Sequence, residues 1–317
     1  MLWYNIFIFI ISAVILAFSA SMCVKALSSI SRFLKMNEFI VGFIIMGIST
    51  TLPELFVGIN SALNKNPALS MGNVIGSVIV NFTLILGIVI VLAKGINTTK
   101  GVIKRDAIKL LAIIVVPVIL NIIGRGLSRI DGVILLLIFV WYIVGLYKER
   151  GKYSLELKNT ISKKEGILSS FLFLISLVVL FFSARSTAVY GGIIAGGLGL
   201  PNIFIGLFFV AVSTSLPELT FGIIAARTNH SIMSLGNLMG AGIINVTLVL
   251  GITALIEPIK SNFTLFLTSS IFMIITCFIF SVFIETGRKL YWKEGIALIF
   301  LYIFFLIVEL SLSGIIK

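Results

Sequence analysis

Two glutamates stand inside apolar runs of this 317-residue chain, each directly after a proline. Glu54 belongs to ISTTLPEL, from Ile48 to Leu55, and Glu218 to VSTSLPEL, from Val212 to Leu219. An ionised acid at mid-membrane costs roughly 3 kcal/mol on insertion scales, so two of them at matching places point to a function. Each neighbouring proline lacks a backbone donor and crowds the carbonyl four residues earlier. Pro53 thereby deprives the Ser49 carbonyl of its helical partner and loosens others nearby, such as that of Gly47, while Pro217 does the same to Ser213. A released carbonyl cannot face lipid, but it can face a cavity or an ion. Carboxylates, carbonyls, hydroxyls and amides together make an oxygen-only cage. With no His or Cys partner in reach along these segments, the chemistry favours hard cations such as Ca²⁺ and Na⁺ over soft transition metals.

The runs that follow add further oxygens. Asn73, Ser77 and Asn81 recur at i, i+4 and i+8 and share one helical face, as do Asn237, Ala241 and Asn245. Helix packing accounts for Asn73 and Asn237 as well as ion binding does, and Gly72, Gly76, Gly236 and Gly240 are placed to let helices approach closely. Glu309, a third acid in an apolar run, lies near the end of the last run and reads as an interfacial, snorkelling group.

The elements that must carry these residues are membrane spans. With 59% hydrophobic and 11% charged residues and a mean hydropathy of +1.19, the chain is a polytopic membrane protein and not a soluble domain. A helical span takes roughly 20 apolar residues. Ten such runs occur, at 3–23, 38–62, 70–93, 107–123, 129–147, 167–186, 201–226, 231–256, 262–284 and 296–314. The first lacks the basic lead of a signal peptide, because the first basic residue is Lys25, and is read as a mature span.

The net charge of +12 orients the chain and does not mark a nucleic-acid binder. If loops alternate sides from an outside N-terminus, 18 of the 24 Lys and Arg fall in cytoplasmic connections. The other six, Lys65, Arg125, Arg129, Arg185, Lys260 and Lys317, fall outside, so the positive-inside rule puts both termini outside the plasma membrane. Cys23 and Cys277 lie in apolar runs and offer neither a disulfide framework nor a metal cluster. The lone His230 reads as a solvated residue of a cytoplasmic turn.

The chain also repeats itself. A shift of 164 positions, without a gap, lays Ser49, Thr50, Pro53 and Glu54 on Ser213, Thr214, Pro217 and Glu218. The same shift aligns SMGNVIGSVIVNFTLILG with SLGNLMGAGIINVTLVLG, identical at 10 of 18 positions. Five spans per half is an odd number, so the second copy enters the membrane from the opposite side. That arrangement is the inverted repeat of many secondary transporters, with a binding site near the midplane. The fold expected is therefore all-α, with ten transmembrane helices as two inverted five-helix repeats, 1–147 and 166–317, joined by a cytoplasmic linker at 148–165.

The paired G/S-T-S/T-L-P-E blocks, each followed by G-N-x-x-G-S/A-x-x-x-N/D, resemble the two alpha repeats of the sodium/calcium exchangers in the calcium:cation antiporter superfamily. The likeness runs over essentially the whole chain. It implies an antiporter in which Glu54 and Glu218 bind the transported ions, and in which the first and sixth helices slide past the other eight to alternate access. By motif position it also implicates the Gly47 and Ala211 carbonyls, Thr50, Thr51, Ser77 and Asn81, with Thr214, Ser215 and Asn245 from the second half. The linker is too short for the large calcium-sensing domains of animal members, which implies a minimal prokaryotic type. Many members that exchange three sodium ions carry an aspartate at the position of Asn245 and a serine at that of Ala241; some prokaryotic relatives have the residues seen here.

The expected activity is exchange of Ca²⁺ for Na⁺, with both ions as cargo, the lipid bilayer as surroundings, and no cofactor, nucleic acid or obligate protein partner. The alternatives are a counter-ion other than Na⁺, protons first, or a cation channel, which need not alternate access. An intramembrane hydrolase built on two glutamates is a more distant reading, since these acids are flanked by cation-friendly oxygens, and the protein is not expected to be an enzyme.

Overall fold

The computed structural model describes residues 2–34, 36, 38–65, 67–98, 101–148, 162–197, 214–260, 263–287 and 289–312. In chain order the helices are α1 (Leu2–Leu34), α2 (Glu38–Leu63), α3 (Pro67–Leu92), α4 (Gly101–Gly124) and α5 (Arg129–Lys148). Then come α6 (Lys163–Gly197), α7 (Leu216–Arg227), α8 (Ser231–Ile256), α9 (Phe263–Thr286) and α10 (Trp292–Leu312). Among the described residues, eight helices are long and apolar enough to cross a membrane. The expected start of the seventh span at 201, and most of the 148–165 linker, lie outside the described residues.

Burial sorts these helices into centre and rim. In the most apolar stretches of α3 and α8, 78% of residues are buried, against 28% in α1 and α6. The exposed faces at the rim are themselves apolar, as Trp3, Phe7, Val14 and Phe18 on α1 and Phe171, Val178 and Phe182 on α6 show. Such a belt is tolerable only where the surrounding solvent is hydrocarbon.

Helix α1 outruns the expected span. The hydropathy ends near residue 23, which would leave Lys25 and Arg32 in a loop, yet the helix continues to Leu34. At 1.5 Å per residue its 33 residues extend about 50 Å, well beyond the ~30 Å of a hydrocarbon core. No glycine or proline interrupts 24–34, so nothing stops the backbone where the apolar run stops. Helix α6, with 35 residues, is similarly long, and the two pack lengthwise against each other.

Cross-links between distant loops fix which helix ends lie together. Strand β1 (Ile96–Asn97), before α4, pairs antiparallel with β2 (Lys289–Leu290), after α9. At the other ends of α4 and α9, Leu127 bridges Ile259, and Lys65 forms a 2.8 Å ion pair with Glu257. Each contact joins two loops that the charge distribution assigns to the same face, the strand pair to one and the Leu127–Ile259 and Lys65–Glu257 contacts to the other.

The centre is held by backbone approach. A Cβ at Gly236 or Gly240 of α8 would collide with the carbonyl oxygens of Phe39 and Phe43 on α2, so these two glycines let the helix backbones touch. At Gly72 no heavy atom of the described residues outside its own helical turn lies within 4 Å of where a Cβ would stand. Its counterpart Gly236 packs on Phe39, whose own counterpart is residue 203, outside the described residues.

Candidate cation site

The two acids sit in the same local fold. Thr51 (φ −83°, ψ 0°) and Ser215 (φ −92°, ψ 9°) leave the helical region, and a fresh 12-residue helix begins at Leu52 and at Leu216. Proline falls in the first turn of each new helix, where no backbone donor is needed. The following glutamate then lies in that same first turn, beside unpaired amides and the positive end of the helix dipole. The proline thus breaks the span and aims the acid.

Both carboxylates are fully buried and lie close enough to interact electrostatically. Glu54 Oε1 accepts a 3.4 Å hydrogen bond from Ser77, while Glu54 Oε2 and both oxygens of Glu218 make none of good geometry among the described residues. The hydroxyls around them cross between the halves. Thr214 lies alongside Glu54 and within 3.5 Å of Ser77, and Thr50 lies alongside Glu218. Thr50 donates to Asn237 Oδ1 at 3.1 Å, and Thr214 to Asn73 Oδ1 at 3.4 Å. Each of these contacts maps onto the other under the 164-residue shift.

Asn81 and Asn245 complete the set. Each begins a five-residue π-helical turn within α3 or α8, Asn81–Ile85 and Asn245–Val249, and each is fully buried with neither amide atom hydrogen-bonded among the described residues. Such turns recur at functional sites because they rotate side chains out of the regular helical pattern. The turn at Asn245 packs against the half-helix of Glu54, and the turn at Asn81 against that of Glu218. Buried amide oxygens without partners suit a hard cation, which binds carboxylate and amide oxygens alike.

The remaining expected ligands are placed differently. The Gly47 carbonyl is not left open by the break: it accepts from the Thr51 amide at 3.3 Å and from the Thr51 hydroxyl at 2.6 Å. The same bond ties down the Thr51 hydroxyl, since a threonine at the break readily returns its hydrogen to the carbonyl four residues back. Its counterpart Ser215 has a buried hydroxyl with no hydrogen bond among the described residues. The Ala211 carbonyl lies outside the described residues.

Three further residues differ from the sequence reading. His230 is not simply solvated: its Nδ1 lies 2.9 Å from Glu38 Oε1, joining the turn before α8 to the start of α2. Asp106, left outside the fourth span by hydropathy, is fully buried in α4 between Arg105 at 3.4 Å and Lys109 at 3.5 Å. Glu309 is half-buried and hydrogen-bonds Ser269 of α9, so it meets protein as well as the interface. The partnership of Asn73 and Asn237 with the threonines was also missed, although the repeat shift, which carries Asn73 onto Asn237 and Thr50 onto Thr214, was a signal for it.

Comparison with known proteins agrees with this geometry. The family profile described as sodium/calcium exchanger protein matches residues 4–148 and 168–310. The sodium/calcium exchanger MaX1 of Methanosarcina acetivorans is 28% identical, over 97% of this chain and 99% of its own. The inner membrane protein YrbG of Escherichia coli is 29% identical, over 78% of this chain and 79% of its own. A solved structure of the sodium-calcium exchanger NCX_Mj, soaked with 10 mM Na⁺ and zero Ca²⁺, superimposes with a TM-score of 0.84 at 26% identity, covering 96% of this chain and 98% of that one. Profile, relatives and fold agree over both halves, and this membrane protein belongs to the sodium/calcium exchanger family.

Proposed function

We propose that this protein is a secondary antiporter that exchanges Ca²⁺ for Na⁺ across the plasma membrane by alternating access. The observation that carries the reading is the pair of fully buried, interacting carboxylates, Glu54 and Glu218, three of whose four oxygens make no hydrogen bond of good geometry among the described residues. Two such charges balance one Ca²⁺ or two Na⁺, and the surrounding Ser77, Thr50, Thr214, Ser215, Asn81 and Asn245 supply neutral oxygens. The matching folds of 52–63 and 216–227 support two five-helix repeats, 1–147 and 166–317. The inversion is supported by the loop cross-links. The loops at 96–97 and 259 are repeat-equivalent, yet 259 pairs with 127, at the opposite end of the 24-residue α4. Ten spans with both termini outside fit these pairings and the distribution of basic residues.

Proteoliposomes loaded with Na⁺ test the reading. Calcium uptake should follow the outward sodium gradient and stop when the gradient is removed. Protons form the second reading, because Asn245 leaves the described site with two acids and no third to balance a further sodium. Calcium uptake driven by a pH gradient and indifferent to sodium would select it, and uptake that needs neither gradient would point to a channel.

A further inference from the structure

A hydroxyl has one hydrogen and two acceptor lone pairs. Beside an ionised carboxylate its hydrogen turns to the carboxylate, which removes that hydroxyl from any cation the carboxylate binds. At Thr50 the hydrogen has other destinations, Asn237 Oδ1 at 3.1 Å and the Met46 carbonyl at 3.1 Å. Thr50 also lies alongside Glu218, whose two oxygens make no hydrogen bond of good geometry among the described residues. The mirror arrangement places Asn73 Oδ1 at 3.4 Å from the Thr214 hydroxyl, beside Glu54. The two amide nitrogens, Asn73 Nδ2 and Asn237 Nδ2, are buried without partners among the described residues.

We infer that Asn237 and Asn73 are positioning residues for ion binding: each accepts the hydrogen of a threonine from the opposite half and so turns that threonine's lone pairs toward a glutamate-bound cation. The inference rests on the antiporter reading. Rotation of the amide would present Nδ2 to the hydroxyl instead and fill one of the lone pairs that a cation would use, leaving the hydrogen to the Met46 carbonyl or the carboxylate. The orientation of Asn237 therefore sets how many lone pairs Thr50 can offer a cation beside Glu218, and Asn73 sets the same for Thr214 and Glu54. The crossing also ties the two halves together at the site.

Double-mutant cycles on the full-length protein in proteoliposomes test the pairing, with the apparent calcium affinity as readout. Asn237→Leu should weaken affinity about tenfold. The same change in a Thr50→Val background should cost almost nothing further, because the hydroxyl it orients is gone, while in a Thr214→Val background it should keep its full effect. Asn73→Leu should show the reverse pattern, coupling to Thr214 and not to Thr50. Thr50→Ser, which keeps the hydroxyl, should restore the sensitivity to Asn237→Leu. Additive losses in both cycles, or coupling along the same half instead of across, would overturn the inference. If a leucine variant does not fold, as read by its melting temperature, Asn→Ala at the same position replaces it in the cycle. Absence of calcium exchange in the unmodified protein would instead defeat the antiporter reading, which keeps the two failures distinct.

Discussion

Replacing Glu218 with glutamine should make the ion-free protein more stable and the ion-bound protein less so. Neither oxygen of Glu218 makes a hydrogen bond of good geometry among the described residues, and Glu54 interacts with it, so in the absence of cation two buried like charges repel one another. For a separation on the order of 6 Å and an effective dielectric constant near 20, that repulsion is about 3 kcal/mol when both are ionised. Glutamine keeps the shape and removes the repulsion, so the melting temperature in chelator should rise by a few degrees. Calcium then loses one of its two counter-charges. Even a tenfold loss of affinity lowers the stabilisation by saturating calcium by about 1.4 kcal/mol, and the Coulombic change makes tenfold the lower bound. The assay is a thermal melt in detergent, with chelator and across a calcium titration, paired with calcium flux in proteoliposomes. A mutant that melts like the parent in chelator and retains its calcium shift and flux would refute both the charge pairing and the site. Lower stability in chelator with normal flux would make Glu218 a structural residue.

Asn245→Asp places a third carboxylate in the cage and should admit an additional sodium, making exchange more sensitive to membrane potential; reversal potentials at fixed gradients measure it, and unchanged coupling counts against a role for Asn245. Cysteines at Ser128 and Lys148, at the two ends of α5, should label from the outer and cytoplasmic faces respectively with a membrane-impermeant thiol reagent, and the reverse pattern would invert the topology. Gly240→Val drives a side chain into the Phe43 carbonyl at the contact of α2 with α8, where a backbone cannot yield, and should cost 2 kcal/mol or more, about the scale of core overpacking. Its measure is the melting temperature, and a near-parental value would mean that the two helices separate freely there.

Apolar runs and a 164-residue repeat are properties of the chain itself, and they carry a long way here. Hydropathy marks spans because a membrane admits only backbone satisfied within the segment. The repeat marks the site because both copies fold the same local way: a threonine or serine at the break, a proline where a donor is unnecessary, and an acid at the head of the new helix. That much depends on neighbours in sequence. The family resemblance is carried by the same residues, which is why it agreed with the profile match.

Tertiary structure decided what depends on residues far apart. Hydropathy could not show that α1 continues to Leu34, because helix propensity and membrane thickness are separate quantities and only the first governs where a helix stops. Nor could it place Asp106, whose burial arises from packing around α4 and from Arg105 and Lys109 beside it. The Gly47 carbonyl looked loosened by the proline six residues on, yet both the amide and the hydroxyl of Thr51 reach it. The exchange of hydroxyl partners, Thr50 with Asn237 and Thr214 with Asn73, joins residues 187 and 141 positions apart. No local pattern specifies such a bond. It exists because two copies of one motif, packed face to face, bring the amides of each within reach of the hydroxyls of the other.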